Sequence, residues 1–331
     1  MTSLPTPPAE STGRWKPAIA TVSLGAASLH SITAKIDAAA NNGQQGLELF
    51  HDDLAQLAKT LRSQEHEPTG RSDREFEIDA AHAIRDLCAE RGLQVLALQP
   101  FRHFEGLIDP VQHAQRIDEL KHWVQLAKVL GDNLFILIPS SFLDASEITG
   151  DRDRLVADLV EAANVAFPIR IAYEALGWGT YVNTVWADPT SPSGRRPEIA
   201  DKELRLSMER LAREIDPNRV MMVQLADGEK VDPQSSLLKT PGLPTLLSWS
   251  RNARLFPCEE ERGGYLPIGL VTEACLDGLG YTGWVSMEVF SRTTTVDDPS
   301  VPEKHAARAG QSWRRMLERL TVAEENKVDS F

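Results

Sequence analysis

Short apolar runs alternate along this chain with longer stretches whose apolar positions recur every three or four residues. The apolar runs are AIATVSL (18–24), QGLELF (45–50), LQVLALQPF (93–101), NLFILIPS (133–140), IRIAYEA (169–175), RVMMVQLAD (219–227) and GWVSMEVF (283–290). Each is nearly continuous in its hydrophobicity. That pattern predicts strands covered on both faces, as in a parallel sheet with helical crossovers. The stretches between them predict helices over 31–42, 74–92, 111–131, 152–167, 198–216, 266–280 and 302–320. In the second of these, Ile78, Ala81, Ile84, Leu87 and Cys88 fall on one face, and Gly92 closes it. Ser31 is placed to cap the first. Residues 228–264 read as a long loop.

Seven strands alternating with helices indicate an α/β fold. A TIM (β/α) barrel over residues 17–320 is expected, between polar tails at 1–16 and 321–331. An open doubly wound sheet is the alternative, but no G-x-G-x-x-G run leads from a strand into a helix. The rhythm breaks once. After IRIAYEA come a turn, GWG, and a run of Pro, Ser, Gly and Arg, with no helix and strand between them.

Composition narrows the function classes. The net charge is −13. A chain of that sign is repelled by nucleic acid and anionic lipid. No apolar run approaches membrane-spanning length, and the start lacks an apolar signal core. Three scattered cysteines make neither a disulfide framework nor a zinc site, so a cytoplasmic setting is expected. A small-molecule partner fits best; whether the chain forms a homo-oligomer is left open.

In α/β barrels, chemistry gathers at the carboxyl ends of the strands. There the chain places Glu48, His51, Gln99, Arg102, Glu174, Gln224, Asp227 and Glu288. A carboxylate inside an apolar strand is costly unless it is paired or binds metal. Each of Glu48, Glu174 and Glu288 taken singly would serve equally well as a salt-bridged structural group. Three at matching positions indicate a convergent oxygen-rich site, suited to a divalent cation such as Mg, Mn or Co. Arg251, between Trp249 and Phe256 in the 228–264 stretch, could clamp a carboxylate through two parallel hydrogen bonds. A surface arginine is the equally weighted alternative.

The stretches SLGAASLHSITAKIDAAANNGQQGLELFHDDL, LQPFRHFEGL, IAYEALGWGTYVNT, VQLADGE, SWSRNARLFP and GWVSMEVFSR together resemble the metal-dependent 3-dehydroshikimate dehydratases. These belong to the sugar phosphate isomerase/epimerase superfamily of xylose isomerase-like barrels. The resemblance runs from about residue 17 to about 320. It implies loss of water from 3-dehydroshikimate to give protocatechuate in quinate and shikimate catabolism. It implies a divalent metal held by Glu174, Gln224 and Glu288. Arg251 would face the substrate carboxylate with Ser250 beside it, and His51 and Arg102 would be further substrate contacts. No catalytic base is assigned.

One departure stands out. The family takes a further ligand, an Asp, from the strand that should follow YEALGWGTYVNT. Here NTVW runs straight into ADPTSPSGRRPE, so a helix-plus-strand unit and that Asp are absent. Asp188 precedes Pro189 and is expected to be a turn residue rather than a substitute. Seven strands would then close a tighter barrel or leave a gap. An inactive metabolite-binding barrel is one alternative function, and a sugar or inositol isomerase-epimerase is another. A clean internal loss between family-like flanks points to an omitted exon. Sequencing of the transcript across the codons for Val185–Ala187 is expected to show an additional block; a message joined as written here would contradict that origin.

Overall fold

The computed structural model describes residues 13–65, 70–183 and 197–328. In chain order, the described strands are β1 (Trp15–Ala20), β2 (Gly46–Phe50), β3 (Gln94–Gln99), β4 (Phe135–Pro139), β5 (Arg170–Glu174), β6 (Val223–Leu225), β7 (Asp227–Gly228), β8 (Arg254–Leu255) and β9 (Gly283–Met287). The helices are α1 (Ile32–Asn41), α2 (His51–Ser63), α3 (Asp73–Glu90), α4 (Pro110–Leu130), α5 (Arg152–Ala166), α6 (Pro197–Glu214), α7 (Thr245–Asn252), α8 (Ile268–Glu273) and α9 (Val301–Val328). No helix among the described residues is long and apolar enough to cross a membrane.

Seven strands form one sheet in the order β5-β4-β3-β2-β1-β9-β6, and every pair in it is parallel. Neighbours follow chain order without the reversal that marks an open doubly wound sheet. The sheet curls like a barrel wall. Met221 and Met222, just ahead of β6, pack against the cluster of Ala97, Phe135 and Leu137 on β3 and β4, as Ala172 of β5 also does. The two ends of the strand order therefore approach each other. No ladder joins β5 to β6 among the described residues.

Of the two expected outcomes, a tighter barrel or a gap, the described residues show the gap, where the strand-and-helix rhythm of the sequence breaks. Every residue of β2 and β4 is buried, whereas Arg170 and Tyr173 of β5 are exposed. Val156 and Val160 on α5, and Phe167 after it, are exposed apolar residues on the same flank. The polar segment 184–196, with Asp188, lies outside the described residues. α6 packs against α8 and the turn that follows α8, on the β9 side of the gap.

Local sequence explains most elements. The Ser31 side chain caps α1 by accepting from the Ala34 amide. Ser72 and Glu75 form a reciprocal capping box at α3. Three expectations are corrected. A helix, α2, starts at His51 directly after β2, so two helices follow that strand. Its first turn is polar because Asp53 points inward to Lys35, which hid the helical stripe. The supposed loop 228–264 contains α7 and the two-residue ribbon of β7 and β8. α9 continues beyond 320 to Val328.

One buried ion pair ties the mouth loops to the core. Lys35 Nζ lies 2.6 Å from Asp53 Oδ1 and also donates to the Gly25 carbonyl. Both side chains are almost wholly buried. Removing one partner of such a pair typically costs about 3–5 kcal/mol, because the other charge is left stranded.

Candidate active site

Three strand ends carry carboxylates into the mouth of the curled sheet, Glu48 and Glu288 buried and Glu174 partly buried. Glu48 is on β2 and fully buried. Glu174 closes β5, and Glu288 directly follows β9. Glu48 Oε2 accepts two amides, from Gln99 Nε2 at 2.5 Å and from Gln224 Nε2 at 2.7 Å. Glu48 Oε1 is buried without a hydrogen-bond partner among the described residues. Glu288 is paired with Arg254, whose Nη1 donates to Oε2 at 2.8 Å and to the Glu288 carbonyl at 3.1 Å.

Crowding these groups in a low-dielectric floor raises their affinity for protons. Burial, then the nearby Glu288, pushes Glu48 up to about 8. The same two causes push Glu174 up to about 8, against the pull of Arg254 and Arg251. Joint ionisation of the carboxylates in this floor is therefore disfavoured.

A ring of guanidinium groups lies next to it. Arg251 sits over the Phe290 ring at 4.0 Å and Arg254 over the same ring at 5.1 Å. Burial, then the neighbouring Arg102 and Arg254, lowers Arg251 to about 10. Arg102 and Arg251 line both the open mouth, a cavity of about 620 Å³, and the narrow recess of about 30 Å³ beneath it. Glu174, Glu288, Gln99 and Arg254 line that recess.

The structure thus brings Glu174, Glu288, Arg102 and Arg251 to one recess, with Gln224 tied to it through Glu48. Ser250 is buried behind them, its hydroxyl accepting from Arg254 Nε at 2.9 Å. His51 stands apart. Its ring stacks on Trp123 at 4.7 Å, and Nε2 is 3.3 Å from Glu77. It lines a neighbouring cavity of about 710 Å³ that shares Arg102. Burial of Glu77 works the other way, but the hydrogen bond with His122 and the nearby His51 hold it at about 2. Asp227 serves a turn: its carboxylate accepts the amides of Gly228, Tyr265 and Leu266.

Arg254 was missed as a site residue. It lies in SWSRNARLFP three residues beyond Arg251, and a second arginine beside the same aromatic residues was the available signal. His113, Asp158 and Glu161 form another cluster of potential metal ligands on α4 and α5, but none of them lines the mouth. Asp158 is already engaged by the Gly106 amide and Arg154.

Residues 36–192 match the family model described as xylose isomerase-like TIM barrel. The chain is 37% identical to the 3-dehydroshikimate dehydratase of Neurospora crassa, across 95% of this chain and 96% of that one. The chain belongs to the 3-dehydroshikimate dehydratase family. Its alignment with the N. crassa relative spans 351 positions, more than the 331 residues present here. The fungal family member therefore has residues with no counterpart in this chain. Among solved structures, a xylose isomerase-like TIM barrel/4-hydroxyphenylpyruvate dioxygenase fusion protein superposes with a TM-score of 0.68 at 25% identity, over 95% of this chain and 44% of that one. The IolI protein, solved with a zinc atom bound, shares the fold with a TM-score of 0.62 at 15% identity, over 92% of this chain and 99% of that one.

The raised carboxyls set a pH dependence. A group whose pKa is higher in the fold than its ordinary 4.5 keeps a proton that the unfolded chain has released, so stability falls as pH rises toward about 8. His103 and His305 act in the opposite sense. Burial, then arginine neighbours, holds both at about 4, so their effect is complete by their ordinary 6.5. With a chelator present, the thermal midpoint is therefore expected to drop between about pH 6.5 and 8.5. A flat or rising midpoint across that window would contradict the crowded floor.

Proposed function

We propose that this chain is a 3-dehydroshikimate dehydratase, acting at the mouth described above. The observation that carries this is the meeting of two sets of groups in one recess. Glu174 and Glu288 supply an anionic floor, and Arg102, Arg251 and Arg254 supply guanidinium groups beside it. A small oxygenated carboxylic acid needs both.

The residues fit a divalent metal. The carboxyls of Glu48 and Glu174 are crowded and buried enough to hold protons to about 8, the state a bound cation would relieve. Gln224 has its amide nitrogen engaged by Glu48, which leaves its carbonyl oxygen as a donor. Glu174, Gln224 and Glu288 would hold the ion, which Mg, Mn or Co would suit. When bound, the metal would polarise the substrate oxygen next to the carbon that loses its proton. The family's Asp ligand is missing from this chain. Three protein ligands bind more weakly than four, so a chelator should strip the site readily.

The chain's own groups do the rest. Arg251 and Arg102 pair with the substrate carboxylate and fix the ring over the floor. Phe290 supports Arg251 and holds water away from it. Arg254, braced by Ser250, keeps Glu288 in place. The ring loses a proton beside its ketone and a hydroxide from the adjacent carbon. These leave together as one water, and proton rearrangement completes the aromatic product.

The open sheet favours a second reading, a barrel that binds the metabolite without converting it. A sugar or inositol isomerase-epimerase fits less well, because three arginines have little use on a neutral sugar.

Purified protein given Mn²⁺ and 3-dehydroshikimate is expected to form protocatechuate, and EDTA to abolish this. Arg251→Ala is expected to lower kcat/KM roughly 10- to 150-fold, the value of a hydrogen-bonded charge. Saturable binding with no aromatic product would support the second reading. An Arg251→Ala enzyme within twofold of the original would remove Arg251 from the clamp.

A further inference from the structure

Among the strand-end carboxylates, Glu48 is the one that cannot reach solvent. It is fully buried on β2, between β1 and β3. Its Oε2 is the acceptor in both of its contacts, so each amide facing that oxygen must present nitrogen. Two do so at a single oxygen: Gln99 of β3 at 2.5 Å and Gln224 of β6 at 2.7 Å. Residues from three strands, with β2 and β6 separated in the sheet by β1 and β9, thus depend on one Oε2.

The consequence falls on Gln224. A glutamine side chain is nearly symmetric in shape and can turn over, exchanging its oxygen for its nitrogen. An amide nitrogen cannot ligate a cation, whereas a carbonyl oxygen can. We propose that Glu48 is a positioning residue: it holds the Gln224 nitrogen so that the carbonyl oxygen is the atom left to bind a divalent cation. This rests on the reading of the mouth as a cation site. It separates Glu48 from Glu174 and Glu288, which would touch the ion directly. Partners that orient metal ligands in this way commonly matter as much as the ligands themselves.

The test uses Mn²⁺ alone, with free ion followed by electron paramagnetic resonance. In Glu48→Gln, the new amide can donate to the Gln224 oxygen and so turn that side chain over. Mn²⁺ affinity is expected to fall roughly 10- to 100-fold, while the thermal midpoint without metal does not fall. The paired change Glu48→Gln with Gln224→Glu rebuilds the contact with its charge exchanged. That variant is expected to bind Mn²⁺ at least as tightly as the original chain. A Glu48→Gln protein that binds Mn²⁺ within twofold of the original would overturn the proposal. So would a paired variant that binds as poorly as the single one. Should the single variant fail to fold, the paired variant decides alone. Failure of the unaltered chain to bind Mn²⁺ would overturn the cation-site reading itself and this proposal with it.

Discussion

Like-charged carboxyl groups packed at one end of a parallel sheet are the constraint on which this structure turns. Parallel strands bring their carboxyl ends to the same side, so Glu48, Glu174 and Glu288 meet by topology. Burial then makes their joint ionisation costly. The chain meets that cost in three ways. Two glutamine amides bind Glu48, Arg254 binds Glu288, and burial raises the proton affinity of Glu48 and Glu174. A cation would replace the protons.

The gap between β5 and β6 is the second organising feature. The seven described strands of the main sheet keep their order and curl, although no ladder joins β5 to β6 among the described residues. Met221 and Met222 fill part of the interior and pack against residues of β3 and β4. Methionine suits this role, because its flexible thioether adapts to irregular space. On β5, Tyr173 is anchored by its hydroxyl to Glu105, which also binds both the amide and the hydroxyl of Ser141. That clamp helps hold the edge strand, and with it Glu174, beside the recess.

Much of this was legible in the chain. The seven strands stood out because both of their faces are covered, which makes their hydrophobic runs nearly unbroken. The break after IRIAYEA was legible for the opposite reason, since no apolar run stands between the GWG turn and residue 197. Two helices were hidden. α2 spends a first-turn position on Asp53, which looks like a surface residue until Lys35 is placed opposite it. α7 is short and begins straight after Pro244. The partnership of Glu48 with Gln224 was out of reach, because the two are 176 positions apart and only the curl of the sheet brings them together. Arg254 was equally obscure, as its value depends on where Glu288 arrives.

The most direct measurement is calorimetric titration of the cation-free protein with Mn²⁺ at pH 7, in two buffers of different ionisation enthalpy. The difference between buffers counts the protons displaced. If crowded carboxyls are neutral until a cation joins them, about one proton or more should leave for each ion bound. Binding with no proton release would mean that the floor is already ionised, and the central role given to these carboxylates would fail.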